Sequence, residues 1–229
     1  MVCQKNKLSG EQASKLFMNL IEKITQKAKE LLSVSKGSHD WDHTLRVYNT
    51  CLQLARSEGA DEETIMIAAL LHDIGRHTQD VSGGKVCHAE VGAKMATDLL
   101  SEYELDQSKK DNIIHCIATH RFRNSLTPES LEAKVLFDSD KLDAIGAVGI
   151  GRAFLFAGEH GAKLHDRNVD INRAHEYSRE DTAYREYMFK LRKVKERMLT
   201  ESGRKLAQSR HDFMVEFFDR LNREVDGKN

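Results

Sequence analysis

The sequence contains almost no proline and no long apolar run. Pro128 is the single proline in 229 residues, and since proline interrupts helices, its scarcity permits long helices along the whole chain. No stretch approaches the roughly 18 consecutive apolar residues that predict a transmembrane helix. We therefore expect a helical protein that does not have a membrane as a partner.

Closely spaced cysteines, an export signal and an excess of one charge are also missing. The cysteines Cys3, Cys51, Cys87 and Cys116 are widely separated, and the N-terminus lacks the apolar segment of a signal peptide. This combination predicts reduced thiols in a cytoplasmic protein. The 35 basic and 36 acidic residues nearly cancel, so the net charge gives no general attraction to nucleic acid or to an anionic membrane.

Periodic apolar residues predict an all-α fold with one core. Hydrophobic residues make up 40% of the chain, which together with glycine is ordinary for a globular protein. Apolar residues recur at three- and four-residue steps, and no segment alternates as a strand does. The predicted helices cover residues 11–32, 42–57, 62–74, 88–101, 107–120 and 131–147, with two amphipathic helices after residue 182. Residues 76–87 and 158–181 are predicted as loops.

Four His-Asp dipeptides occur in the chain, at residues 39–40, 72–73, 165–166 and 211–212. Only His72-Asp73 lies in a strongly apolar helix. Burial of an unpaired carboxylate costs several kcal/mol, and the C-terminal end of a helix disfavours an anion further. A divalent metal or a basic side chain beside Asp73 removes both penalties, and a buried hydrogen bond between His72 and Asp73 is the alternative.

A second group of carboxylates interrupts an apolar face later in the chain. The predicted helix 131–147 places four residues on one face: Leu136, Asp140, Asp143 and Ala147. Two carboxylates one turn apart on this face favour a bound cation. The alternative is a helix cap or an ion pair with Lys134 or Lys141.

One further histidine belongs to an inward-facing stripe. His43 lies in the first turn of its predicted helix, in line with Val47 and Leu54. Alone, this pattern is typical of a hydrogen-bonded core histidine. Two imidazoles and two carboxylates together suit manganese, iron, nickel, cobalt or zinc with open positions for water. Because no thiolate belongs to the set, a closed structural zinc site is disfavoured.

Five segments in order resemble the HD superfamily of metal-dependent phosphohydrolases: DWDHTLRV, ALLHDIGR, HAEVGA, IATHRF and DSDKLDAIGAVGIGR. The order His, His-Asp, Asp is the metal signature of that family. The segment KLRKVKERMLTESGRKLAQSRHDFMVEF resembles the small bacterial HD proteins of the YedJ type. The resemblance covers residues 25–227 and implies a helical HD-domain bundle with additional C-terminal helices.

Carried over residue by residue, the resemblance implies four metal ligands: His43, His72, Asp73 and Asp140. It implies one divalent transition metal, with manganese, nickel, iron or cobalt favoured over magnesium or zinc, and it leaves room for a second ion. Asp73 would also orient or deprotonate the attacking water. His39-Asp40 lies near enough to His43 in sequence to add a hydrogen bond to the ligand shell.

The resemblance assigns His88 and His120 less uniquely. Binuclear HD enzymes would use such histidines as ligands of a second metal, whereas mononuclear members would use them as phosphate contacts or proton donors. We favour one tightly held metal with His88 and His120 as catalytic residues near the substrate. A histidine at a surface or helix end is the alternative for each.

Charged residues next to the implied ligands are candidates for binding substrate. The set is Arg46, Arg76, Lys141 and Asp143. Arginine and lysine suit phosphate, and Asp143 would hold either a metal ligand or a sugar hydroxyl. Solvated or salt-bridged charges are the alternative.

The resemblance implies hydrolysis of a phosphoester or phosphoanhydride in a nucleotide or another small phosphate compound. Its subgroup favours nucleoside triphosphate pyrophosphohydrolysis. One alternative is a metal- or nucleotide-binding module without turnover. A second is a nucleic-acid-binding protein that uses the basic run at 185–197, but Glu186 and Glu196 interrupt that run and its apolar stripe is typical of a core.

The expected organisation is one domain. Residues 1–24 start the N-terminal helix, residues 25–157 form the metal-binding helical core, and residues 182–229 form helices that pack on that core. Residues 158–181 form a polar loop, either a lid over the site or a mobile connection. The sequence leaves the oligomeric state open.

Overall fold

The computed structural model describes residues 9–33, 41–121, 126–171 and 178–228. These ranges contain only helices and connections, with no strand, which confirms the predicted all-α class. The α-helices are α1 (Gly10–Leu32), α2 (Trp41–Glu58), α3 (Glu62–Leu71), α4 (Arg76–Val81), α5 (His88–Ser101), α6 (Gln107–Thr119), α7 (Leu131–Leu142), α8 (Gly146–Glu159), α9 (Ala183–Phe189) and α10 (Glu201–Val225). A 3-10 helix, Leu191–Arg197, joins α9 to α10.

Polar side chains cap the N-terminal ends of several of these helices. Ser9 and Gln12 form a reciprocal capping box at the start of α1. The Asp61 carboxylate accepts a hydrogen bond from the backbone N–H of Glu63 at the start of α3, and the Ser130 hydroxyl caps α7. Each cap satisfies a backbone N–H that has no partner inside the helix.

The apolar helix α3 lies at the centre of the core. Residues Thr64, Ile65 and Ile67 to Leu71 are all buried, and α3 packs against α1, α2, α6 and α7. A helix that is apolar on every side reaches a stable state only when neighbours surround it. Its C-terminal end, which carries His72 and Asp73, therefore lies inside the protein.

The segment after α3 differs from the predicted one. The helix ends at Leu71, residues 72–75 form a turn, and α4 occupies part of the predicted loop 76–87. The turn packs directly on the start of α5: a Cβ atom at Gly75 would lie 2.3 Å from the carbonyl oxygen of His88 and 2.6 Å from the backbone nitrogen of Gly92. This close approach needs glycine, and it brings α5 to the end of α3.

The predicted helix 131–147 is also wrong beyond Leu142. Asp143 caps α7, Ile145 is extended with φ −128° and ψ 168°, and α8 begins at Gly146. Gly146 has φ +76°, a conformation that residues with a side chain rarely adopt. Asp140 and Asp143 therefore do not share a continuous helical face with Ala147.

A buried carboxylate of α7 connects the C-terminal region to the core. Asp138 of α7 accepts hydrogen bonds from the backbone N–H groups of Leu199 and Thr200, both at 2.8 Å, and from the Thr200 hydroxyl at 2.7 Å. The helix predicted before α10 is instead α9 followed by the 3-10 helix. Helix α10 packs on α2, α7 and α8.

Two further expectations concern the connections and a membrane. Helix α8 reaches Glu159, and the described residues between it and α9 form no helix; a lid at 158–181 and the domain boundaries stay predictions. Within the described ranges, every helix is too short or too polar to cross a bilayer.

The fold depends on a close approach at Gly203 of α10. A Cβ atom there would lie 2.2 Å from Asp138 Oδ2 and 2.6 Å from Thr200 Oγ1. We expect Gly203→Ala to lower the free energy of unfolding by about 1–3 kcal/mol, because the methyl group displaces the carboxylate from its donors. Urea unfolding followed by circular dichroism measures the change.

Gly151 in α8 provides the matched control, because a Cβ atom there has no neighbour within 4 Å. Gly151→Ala should raise the free energy of unfolding by up to about 1 kcal/mol, since alanine favours the helix. Equal stability of the two variants would contradict the crowding at Gly203.

Candidate metal centre

Buried histidines and aspartates from several elements meet at the end of α3. His43 comes from α2, His72 and Asp73 follow α3, His88 begins α5 and His120 follows α6. Each of these five residues is at most 3% exposed. Asp140 of α7 joins them with its side chain 18% exposed. The structure thus brings together all four implied ligands and both additional histidines.

The first cluster consists of His43, His72, Asp73 and Asp140. The Nε2 atoms of His43 and His72 are 3.3 Å apart. Asp73 Oδ2 lies 3.6 Å from His43 Nε2, and Asp140 Oδ1 lies 3.5 Å from the same nitrogen. The ligand atoms of His43, His72 and Asp73 therefore surround one small space, and Asp140 adjoins it through His43.

The second cluster consists of Asp73, His88 and His120. The Nε2 atoms of the two histidines are 3.1 Å apart. Asp73 Oδ1 lies 3.2 Å from His88 Nε2 and 3.7 Å from His120 Nε2. Because Oδ2 faces the first cluster and Oδ1 the second, the Asp73 carboxylate connects them.

The hydrogen bonds of the Nδ1 atoms fix the chemical form of the four rings. Each Nδ1 faces an oxygen acceptor: Asp143 Oδ2 for His43 at 2.7 Å, Ala69 O for His72 at 2.8 Å, Gln79 Oε1 for His88 at 2.9 Å and Ile117 O for His120 at 2.7 Å. A nitrogen that donates to such an oxygen carries the ring hydrogen. In the neutral ring, the Nε2 atom then carries a lone pair.

Both clusters are therefore groups of acceptors that face one another. Burial lowers the pKa of His72 to about 4 and that of His88 to about 2, so these rings are neutral at pH 7. In each cluster, one neutral ring thus presents its Nε2 lone pair 3.1–3.3 Å from a second ring nitrogen and beside the Asp73 carboxylate, an arrangement that a cation between them would stabilise. His43, His72 and Asp73, and likewise Asp73, His88 and His120, could each hold a metal ion, and their nitrogen and oxygen donors fit a divalent transition metal.

Lys141 keeps Asp140 in the charged form. Burial alone would raise the pKa of Asp140, but the charge of Lys141 holds it well below its usual range. The Lys141 ammonium donates to Asp140 Oδ2 at 2.6 Å and to the carbonyl oxygen of His120 at 3.2 Å. Lys141, which the sequence predicts to bind substrate, thus also contacts one residue of each cluster.

Asp143 lies behind the first cluster and is 4% exposed. Besides His43, its carboxylate accepts from Arg46 Nε at 2.7 Å and Nη2 at 3.1 Å, and from Arg152 Nη1 at 2.7 Å. Although burial raises the pKa of Asp143, these donors hold it below its ordinary value. Of the roles predicted for Asp143, the one seen in this geometry is orientation of a candidate ligand, and Arg46 contributes to the same network.

The remaining sequence predictions fall into different places. Arg76 Nη2 lies 3.8 Å from Asp73 Oδ2, at the site. His39-Asp40 lies outside the described residues. In the His-Asp dipeptide at 165–166, Asp166 forms an ion pair with the exposed Lys163.

Sequence reasoning missed Gln79, Arg121 and Arg152. Gln79 lies in the segment predicted as a loop, and Arg121 donates to its Oε1 at 2.6 Å. Arg152 of α8 reaches Asp143 across the break between α7 and α8 at 143–145. A pattern along one helix contains no signal for either contact.

The Asp143 network predicts a large effect on stability. Asp143→Ala leaves Arg46 and Arg152 without their shared carboxylate, and we expect a loss of about 3–5 kcal/mol in the free energy of unfolding. Asp166→Ala is the control, because Asp166 and Lys163 are also 2.7 Å apart but lie in contact with solvent. Urea unfolding of metal-free protein should show no change for the control; similar losses in both variants would contradict the importance of burial.

Comparisons with known proteins agree with this arrangement. Residues 40–145 match the HD domain. The chain is 33% identical over 210 residues to YpgQ of Bacillus subtilis, a match that covers 90% of this chain and 94% of YpgQ.

Solved structures extend the similarity over nearly the whole chain. The crystal structure of Bacillus subtilis YpgQ in complex with ADP has a TM-score of 0.70 and 30% identity, over 91% of this chain and 96% of that one. A crystal structure of an HD-superfamily hydrolase from Bacillus thuringiensis has a TM-score of 0.73 and 28% identity, over 93% of this chain and 100% of the other. The predicted resemblance is confirmed: the chain belongs to the HD superfamily.

Proposed function

We propose that this protein is a metal-dependent phosphohydrolase that acts on a nucleotide. The observation that carries the proposal is the pair of buried acceptor clusters that share the Asp73 carboxylate. Membership of a superfamily that includes hydrolases supports the reaction class. The complex of YpgQ with ADP supports a nucleotide as the substrate class.

Each cluster has a defined part in this proposal. His43, His72 and Asp73 would hold one divalent ion, with Asp140 beside His43 as the fourth ligand. Asp73, His88 and His120 would hold a second ion. For His88 and His120, the ligand role is favoured over the proton-donor role, because their Nε2 atoms face each other as acceptors. Manganese, nickel, iron and cobalt all accept this donor set.

A divalent ion supplies two effects when it is bound: it makes water nucleophilic at neutral pH and neutralises charge on phosphoryl oxygens. Asp73 would help to hold an ion in each cluster, because Oδ2 faces the first cluster and Oδ1 the second, and it would orient the attacking water. Lys141 and Arg76 lie at the same site and add positive charge for the phosphates. Asp143 orients His43 by accepting from its Nδ1, and Arg46 in turn donates to Asp143.

For the bond that is cleaved, we propose the anhydride between the α- and β-phosphates of a nucleoside triphosphate. One water molecule is consumed, and a nucleoside monophosphate, pyrophosphate and a proton are released. The YedJ-type resemblance of the C-terminal helices supports this choice.

The first test compares metal-stripped wild type with Asp140→Ala and Lys195→Ala. Each protein is incubated with a panel of nucleotides and with manganese, nickel, cobalt, iron, zinc or magnesium. We expect metal-dependent turnover in the wild type and a loss of roughly 100-fold or more in Asp140→Ala, since a ligand to the ion is removed. Lys195→Ala, in the basic run and in neither cluster, should keep the full rate.

The products are measured separately as orthophosphate and pyrophosphate. Pyrophosphate with nucleoside monophosphate supports the proposed bond, and orthophosphate alone contradicts it. Bound metal without turnover of any nucleotide would contradict the hydrolase and favour a binding module. Full activity of Asp140→Ala would overturn the ligand assignment.

The second ion gives a prediction about stoichiometry. Calorimetric titration with manganese should show two bound ions in the wild type and one in His120→Gln, because the second cluster loses a nitrogen donor. His115→Gln, five residues earlier in α6, is the control, because His115 Nε2 accepts from the backbone N–H of Glu129. It should keep both ions, and a wild type that binds a single ion would contradict the second subsite.

A further inference from the structure

The Gln79 amide of α4 lies at the point where three nitrogen atoms converge. Its Oε1 atom is 3.2 Å from the backbone nitrogen of His88, 2.9 Å from His88 Nδ1 and 2.6 Å from Arg121 Nη1. Gln79 is half-buried, and none of the proposed metal ligands lies on its helix.

The chemistry of these neighbours determines how the amide is oriented. A backbone N–H and a guanidinium N–H can only donate, so the atom they face is the carbonyl oxygen and not the amide nitrogen. That oxygen can only accept, and His88 Nδ1 therefore carries the ring hydrogen. Arg121 Nη1 is also 3.1 Å from His88 Nδ1, but its shorter contact is with Oε1, as expected of two donors that share one acceptor.

The position of His88 in its helix explains why this acceptor is needed. His72 and His120 lie at helix ends and donate to carbonyl oxygens three residues earlier, those of Ala69 and Ile117. His88 is the first residue of α5, and the start of a helix presents N–H groups rather than carbonyl oxygens. Without an acceptor from outside α5, the N–H groups at the start of the helix would favour a lone pair on His88 Nδ1.

We propose that Gln79 is a positioning residue that holds His88 in the Nδ1–H tautomer, so that His88 offers its Nε2 lone pair to a metal in the second cluster. Arg121 holds the amide in the required orientation. The inference deepens the proposed function, because it rests on the second cluster as an ion subsite. It also makes His88 a ligand and not the proton donor of the reaction.

The first experiment determines the tautomer in metal-free protein by long-range ¹H–¹⁵N NMR, with His88 assigned from its missing signals in His88→Gln. Wild type should show Nδ1–H at His88. Gln79→Met removes the acceptor and should produce a mixture or the Nε2–H form, whereas Gln79→Glu keeps an acceptor and should retain Nδ1–H. An unchanged tautomer in Gln79→Met would overturn the proposal.

The second experiment titrates the same proteins with manganese. Gln79→Met should weaken the second binding event by about 10–100-fold and leave the first unchanged, and Gln79→Glu should restore it. Gln53→Met, at an exposed position of α2, is the control and should bind like wild type. Equal weakening of both events, together with lower thermal stability, would show a merely structural role and overturn the inference.

Turnover is measured separately on the same samples. Inactive wild type that binds two ions would count against the proposed hydrolase alone, and the Gln79 inference would stand on its tautomer and affinity results. Wild type that binds no ion in the second cluster would overturn the ligand role of His88, whatever its activity.

Discussion

The structure depends on the burial of one carboxylate among four imidazoles. Asp73 is 2% exposed, and its two oxygens face nitrogen lone pairs on both sides. Burial of a carboxylate costs several kcal/mol unless positive charge compensates it, and Arg76 Nη2, 3.8 Å from Oδ2, supplies part of that charge. The neutral rings of His72 and His88 carry their hydrogen on Nδ1, so their Nε2 atoms cannot relieve that cost by donating to Asp73. A cation in either cluster would supply the compensation, and the nitrogen and oxygen atoms of both clusters fit a divalent metal.

Close backbone contact allows the second cluster to exist. The turn at Gly75 lies against the start of α5, and a Cβ atom at Gly75 would lie 2.6 Å from the backbone nitrogen of Gly92. The contact brings His88 Nε2 to within 3.2 Å of Asp73 Oδ1. A side chain at Gly75 would push α5 away from the end of α3. The glycine after His72-Asp73 is therefore as important to the geometry as the ligands are.

The residues that meet in the first cluster could be proposed from the sequence, partly from local signals and partly from the family resemblance. A carboxylate in an apolar helix identifies Asp73 without any knowledge of the fold. Asp140 was predicted from a helical face that extended to Ala147, and that face does not exist, since α7 ends at Leu142. Gln79 and Arg152 gave no local signal, because each reaches its partner through a turn whose direction depends on tertiary packing. Local burial is thus predictable, and the support behind the ligands is not.

The support behind the ligands also distinguishes the two clusters. His43 donates to the carboxylate of Asp143, which two arginines hold in its charged form. His88 donates to the neutral amide of Gln79. When Nδ1 donates its hydrogen bond to a charged acceptor, Nε2 of the same ring becomes a stronger metal ligand than when the acceptor is neutral. The first cluster also has a fourth residue, Asp140, and so both charge and ligand number favour it. One tightly held ion, as expected from the sequence, and a second, weaker ion are therefore consistent with a single geometry.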